Sequence, residues 1–147
     1  MIRVTSSRKS MMLSVAFLTV LAPICAARQH PITVDGGNKK PHYNQNGDGQ
    51  NGSVLVVDND TVHWTCGNKC SSMTIMFSST PCKEASTFTG STIDCTINIS
   101  DTSAVRVYKY TMTVANGDGS STDPDDPHVI VDNQTVPPKG QKPPLKR

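Results

Sequence analysis

Apolar and polar residues alternate with a period of two along most of this chain, and no stretch keeps the 3.6-residue period of an amphipathic helix. In Thr61-Val62-His63-Trp64-Thr65-Cys66 the apolar positions alternate with polar ones. Met73, Ile75 and Phe77 share one face of a second segment. Cys95, Ile97 and Ile99 share one face of a third, against Thr96 and Asn98. The longest alternation sets Tyr108, Tyr110, Met112 and Val114 inward and Lys109, Thr111 and Thr113 outward. Ile32 to Val34, Val54 to Val57 and Val129 to Val131 add three shorter runs. Gly, Asn, Asp and Pro clusters separate them all. The pattern predicts an all-β chain, an antiparallel Greek-key sandwich of about seven short strands. Val105 and Val107 fall on the opposite parity from Tyr108 onward, and a bulge near Val107 would reconcile them with the apolar face. Lys83 to Thr87 is the one stretch able to form a helical turn.

Two segments lack this alternation. Gly36 to Gly52 holds five glycines, four asparagines and no aliphatic residue, and reads as unstructured. Asn133 to Arg147 holds four prolines and four cationic residues, and reads as an extended, solvated tail. At the other end, Arg3, Arg8 and Lys9 precede an apolar run from Met11 to Ile24, broken at Pro23 and followed by Cys25-Ala26-Ala27. Charge, apolar run and small residues follow the order of a secretory signal peptide, cleaved after Ala26 or Ala27. The run is short of the ~20 residues that span a bilayer. The expected organisation is therefore a signal peptide over 1–27, a flexible segment with one strand over 28–52, a sandwich over 53–132 and a disordered tail over 133–147.

Charge then changes meaning. The full chain carries 14 Lys and Arg against 12 Asp and Glu. Without residues 1–27 it is near neutral, and residues 28–138 are acidic, with the basic excess confined to the tail. Phosphate-backbone binding needs a clustered basic surface, so no nucleic-acid partner is expected. No membrane span is expected in the mature form.

Losing Cys25 leaves Cys66, Cys70, Cys82 and Cys95, an even set in an exported chain. Their spacings lack the tight CxxC pairs of a four-sulfur metal site. Two disulfides follow. Cys66–Cys70 around Gly67-Asn68-Lys69, with Cys82–Cys95, is the preferred pairing, and Cys66–Cys95 with Cys70–Cys82 is its rival.

The runs VVDNDTVHWTC (Val56 to Cys66), MTIMF (Met73 to Phe77), VYKYTMTV (Val107 to Val114) and HVIV (His128 to Val131) together resemble a cupredoxin. This is the family of small exported plastocyanin- and azurin-like sandwiches, and the likeness covers residues 54–132. It implies a copper site at positions this chain fills differently. Ser72 or Met73 stands where the first ligand His opens its strand. Met112 stands where the ligand Cys follows Tyr110, and Asn116 to Pro127 replaces the His-x-x-Met loop. Blue copper needs two imidazoles and a thiolate. The resemblance therefore implies a sandwich without copper, and no cofactor is expected.

The remaining histidines offer one sharp alternative. Cleavage after Ala27 would leave Arg28-Gln29-His30 at the N-terminus, where an amine, two amides and an imidazole can form the square-planar nitrogen set that suits Cu(II) or Ni(II). His42 lies in the Gly/Asn segment, His63 reads as an exposed strand residue, and His128 follows Pro127 near Asp125 and Asp126. Asn44-x-Asn46-x-Asp48-Gly49 begins like a calcium loop but reaches Leu55 where a bidentate Glu belongs. Met73 and Met76 fall on opposite strand faces. There is no Gly-x-Ser-x-Gly, and Glu84 is the only glutamate, so no nucleophile or carboxylate pair is selected. The sequence therefore points to an exported module, periplasmic or extracellular, that binds a protein or cell-surface ligand without catalysis. Copper or nickel capture through Arg28, Gln29 and His30 is the alternative.

Overall fold

The computed structural model describes residues 27–45, 49–101 and 104–133. The expected signal peptide and tail lie outside these residues, apart from Ala27 and Asn133. The described residues form ten strands and no helix. They are β1 (Gln29–Asp35), β2 (His42–Gln45), β3 (Gly49–Gln50), β4 (Ser53–Val56), β5 (Thr61–Cys66), β6 (Cys70–Phe77), β7 (Thr87–Gly90), β8 (Thr92–Thr96), β9 (Arg106–Asn116) and β10 (His128–Val131). One sheet has the order β2-β1-β5-β8, the other β3-β4-β10-β9-β6-β7.

The expectation of a purely antiparallel arrangement is corrected here, because both sheets are mixed. β1 runs parallel to β5, with Ile32 opposite Trp64, and β10 runs parallel to β4, with Val129 opposite Val54. Inward–outward alternation is the same for either strand direction, so sequence periodicity carries no information on this point. Both parallel pairs join segments far apart in the chain, where no hairpin turn dictates direction.

Alternation itself sets the core. Val62 and Trp64 of β5, Met73, Ile75 and Phe77 of β6, and Tyr110, Met112 and Val114 of β9 are all buried, in one cluster fed by both sheets. Trp64 and Tyr110, from opposite sheets, meet edge to face with ring centroids 5.6 Å apart. Each such side chain contributes roughly 1.5–3 kcal/mol through removal from water.

Three further expectations fail for local physical reasons. First, β2 and β3 occupy the segment expected to be unstructured within 28–52. Side-chain amides replace apolar burial there: Gln45 Nε2 donates to the Ser53 carbonyl at 2.8 Å, and Gln45 Oε1 accepts the Gly52 N–H at 2.8 Å. Second, β9 pairs with β10 without interruption at Val107, which simply faces solvent at 61% exposure. The register shift lies at Cys70/Ser72 instead, beside the tight Cys66–Cys70 turn. Third, no helical turn forms at Lys83 to Thr87. Lys83 N–H donates across to the Thr96 carbonyl at 2.9 Å, and Thr87 already opens β7.

Residues 120–127 run back along the upper half of β9 as a strap. Met112 and Asp125 exchange backbone hydrogen bonds at 2.8 and 2.9 Å, Thr122 N–H reaches the Val114 carbonyl at 2.9 Å, and Tyr110 N–H reaches the Pro127 carbonyl at 3.0 Å. The strap thus takes the place beside β9 that β10 holds lower down.

Candidate functional site

Sulfur first: Cys66 is bonded to Cys70 and Cys82 to Cys95. The first bridge closes a turn in which Lys69 adopts a left-handed φ of 57°. The second ties Cys95 of β8 to the loop after β6. Two such bridges fit an oxidising compartment.

Met112 and Met73, expected from sequence at the ligand positions of a cupredoxin, are fully buried core side chains on neighbouring strands, and the strap covers the end of β9. Met76 faces outward at 47% exposure, opposite in sense to Met73. Among the described residues, no three His, Cys, Asp or Glu side chains converge as a metal-holding group.

A buried polar constellation lies where β1 and β5 begin. The turn Val57-Asp58-Asn59-Asp60 closes with Asp60 N–H on the Val57 carbonyl at 3.1 Å, and Asn59 takes a left-handed φ of 68°. This points the Asp60 carboxylate inward, where the residue is 2% exposed. Its Oδ1 accepts the backbone N–H of Arg28 at 2.8 Å. Its Oδ2 accepts the Val57 N–H at 3.1 Å and pairs with His30 Nε2 at 2.9 Å. A buried carboxylate persists only when its lone pairs are met in this way. Next to it, Ala27, Arg28, Gln29, Thr61, Asp94 and Thr96 line an open cleft of about 340 Å³.

Arg28 and His30 therefore meet at Asp60 while Gln29 lines the cleft, an arrangement different from a metal chelate. Gln29 and His30 lie extended in β1, in register with Thr61 and Val62. Successive amides of an extended strand point in opposite directions, so they do not converge on one ion. The His30 ring is turned onto Asp60. Copper capture would need this end of β1 to peel from β5 and His30 to leave its carboxylate.

The other histidines are dispersed. His63, only 24% exposed at its side chain, bonds through Nδ1 to Asp94 across the β5–β8 pair at 2.5 Å. His42 Nδ1 lies 3.8 Å from Asp35. The His128 N–H donates to Ser53 Oγ at 3.1 Å, while Asp125 and Asp126 engage Lys40 and Lys109, each at 3.0 Å. Of the calcium-like run, Asn44 donates to Asp35 at 2.7 Å, whereas Asn46 and Asp48 lie outside the described residues.

Titratable groups echo this division between scaffold and strap. Burial pushes the Tyr110 phenol above its ordinary range, and burial together with the nearby Tyr110 and Asp125 does the same to Tyr43. Just before the strap, hydrogen bonds from Ser120 hold Asp118 below the usual carboxylate range, and on it Lys109 with Thr111 does so for Asp126.

The outer face of the larger sheet carries an apolar row. Val107, Ile130 and Leu55 stand directly opposite one another across β9, β10 and β4. Sequence reasoning missed both this row, having turned Val107 inward, and Asp60. An aspartate ending a turn is ordinary turn chemistry, and no spacing links it to a histidine thirty residues away. Compared with protein-family models, with curated proteins and with solved structures, the chain matches none of them.

Proposed function

We propose that this protein is an exported, disulfide-stapled binding module, a Greek-key sandwich of cupredoxin-like fold that works without copper in the periplasm or outside the cell. One observation carries the reading: the side chains best suited to chemistry are spent on the scaffold. All four cysteines of the described chain are cross-linked, His30 is bound to Asp60 and His63 to Asp94. Such a shell offers surface, and the outward positions of its strands carry many threonines, Lys109 and the Val107 row. Contact is made there or at the open strand edges with a protein or cell-surface ligand.

Two measurements test the reading. Alkylation of the native exported protein should add no mass, and Cu(II) should give neither a blue band nor stoichiometric uptake; a blue sample or reactive thiols would overturn it. A photoreactive residue at Val107, Thr111 or Met76, introduced in producing cells, should give a discrete adduct with a partner in at least one position. Absence of adducts at all three rejects the binding role. Tight, stoichiometric Cu(II) uptake abolished by His30→Ala would instead install metal capture as the function.

A further inference from the structure

We propose that the chain is cut between Ala27 and Arg28 and that the α-ammonium group so created is received by the buried carboxylate of Asp60. Two independent observations meet at this one peptide bond. Along the sequence, a cut after Ala27 places Cys25 and Ala27, both small, at the two positions a signal-peptidase-type endoprotease probes, whereas a cut after Ala26 puts the bulky Ile24 at the first of them. In the fold, the nitrogen that the first cut would free is the very atom that lies 2.8 Å from Asp60 Oδ1.

The hydrolysis is simple in its balance. Water adds across the Ala27–Arg28 amide, the carbonyl carbon takes the hydroxyl and leaves as a carboxylate, and the nitrogen departs as an amine that is protonated at neutral pH. One neutral N–H facing Asp60 becomes an ammonium with three. Ala27 lines the open cleft beside β1, so the proton that replaces its carbonyl carbon points toward that cleft, where water can accept it, and the other new proton sits on the nitrogen lone pair. The third keeps the existing bond to Asp60. A charge-assisted hydrogen bond to a carboxylate is roughly twice as strong as its neutral counterpart.

Position makes the new pair consequential. The ladder begins at once after this atom: the Arg28 carbonyl accepts Thr61 N–H at 2.8 Å, and β1 lies between β2 and β5 inside its sheet. Asp60 already holds Val57 N–H and His30, so the ammonium completes a lock joining the start of β1 to the turn before β5. Removal of the leader therefore tightens the folded state, and unprocessed chain is the looser form. The same amine and the same imidazole are the groups Cu(II) would need, so the lock and the chelate exclude each other.

The test compares two full-length mature chains, one beginning at Arg28 and one beginning with a single extra residue, Ala27. The exported protein should show the intact mass of the Arg28 form. That form should resist urea better, with an unfolding constant lower by roughly tenfold, and Asp60→Asn should erase the difference. Should Asp60→Asn fail to fold, competitive acetylation decides: the Arg28 α-amine of the native protein should react several-fold more slowly than in the urea-unfolded chain. Export with a different first residue, equal stability of the two forms, or full native reactivity of the amine would each overturn the proposal.

Discussion

The indole N–H of Trp64 donates to the hydroxyl of Tyr110 at 3.3 Å, joining the two sheets through the middle of the core. The Tyr110 hydroxyl in turn donates to the Gly52 carbonyl at 2.6 Å, so a single hydroxyl serves two buried polar groups. Tyr110→Phe should keep the packing and strand both of them, lowering stability by about 2–3 kcal/mol. Urea unfolding followed by Trp64 fluorescence measures this. A loss below about 0.5 kcal/mol would show that water replaces the hydroxyl.

Gly52 has its own steric reason to be glycine. Its φ is +79°, and a Cβ there would sit 2.8 Å from the Tyr43 ring and 3.0 Å from Pro127. Gly52→Ala should cost about 1–3 kcal/mol, read as a fall in the thermal midpoint without change in the folded circular dichroism spectrum.

Alkaline pH should unfold the protein cooperatively. Tyr43 and Tyr110 are held neutral in the fold, above the ordinary phenol value of about 10. Their unfolded phenols ionise first, so the stability they contribute is whole below about pH 10 and drains away as pH rises beyond it. Absorbance of phenolate should therefore appear together with unfolding, and Tyr43→Phe or Tyr110→Phe should shrink that step by one phenol.

The acid limb has the opposite sign. Asp118 and Asp126 titrate below the usual carboxylate range in the fold, so their contribution is present above about pH 4 and is lost as pH falls through the lowered values. Asp126→Asn, which cannot pair with Lys109, should flatten the fall in urea midpoint between about pH 6 and about pH 2. Both groups are exposed, so salt should blunt the effect.

The two bridges should not be equal. Cys82–Cys95 closes a sequence separation of 13 and includes a fully buried sulfur, whereas Cys66–Cys70 closes one of 4 between half-buried residues. Chain entropy gives about 3 kcal/mol for the longer and about 2 kcal/mol for the shorter. Paired Cys→Ala variants compared by urea unfolding would check the order, and mild reductant should open Cys66–Cys70 first.

How far the sequence could be read depended on what each element uses to hold itself. β5, β6, β9 and β10 bury every second side chain, so their alternation was plain. The Cys66–Cys70 turn was legible because its three linking residues leave the partner close at hand. β2 was not, since Gln45 secures it through a side-chain amide and no hydrophobic period marks that. Val107 is misleading in the pattern because an apolar residue need not face inward: β9 runs straight and leaves it in solvent. Strand direction was silent in the pattern, and so was Asp60, whose partners come from a segment thirty residues upstream.

The parallel placement of the first and last strands has a temporal consequence. β10 fills the gap between β4 and β9, and it is the last strand in chain order among the described residues. A ribosome or translocation channel still gripping the residues after Pro127 leaves that sheet split in two, however long its other strands have been free. That sheet therefore closes only once β10 is free to enter it, in one late, long-range step.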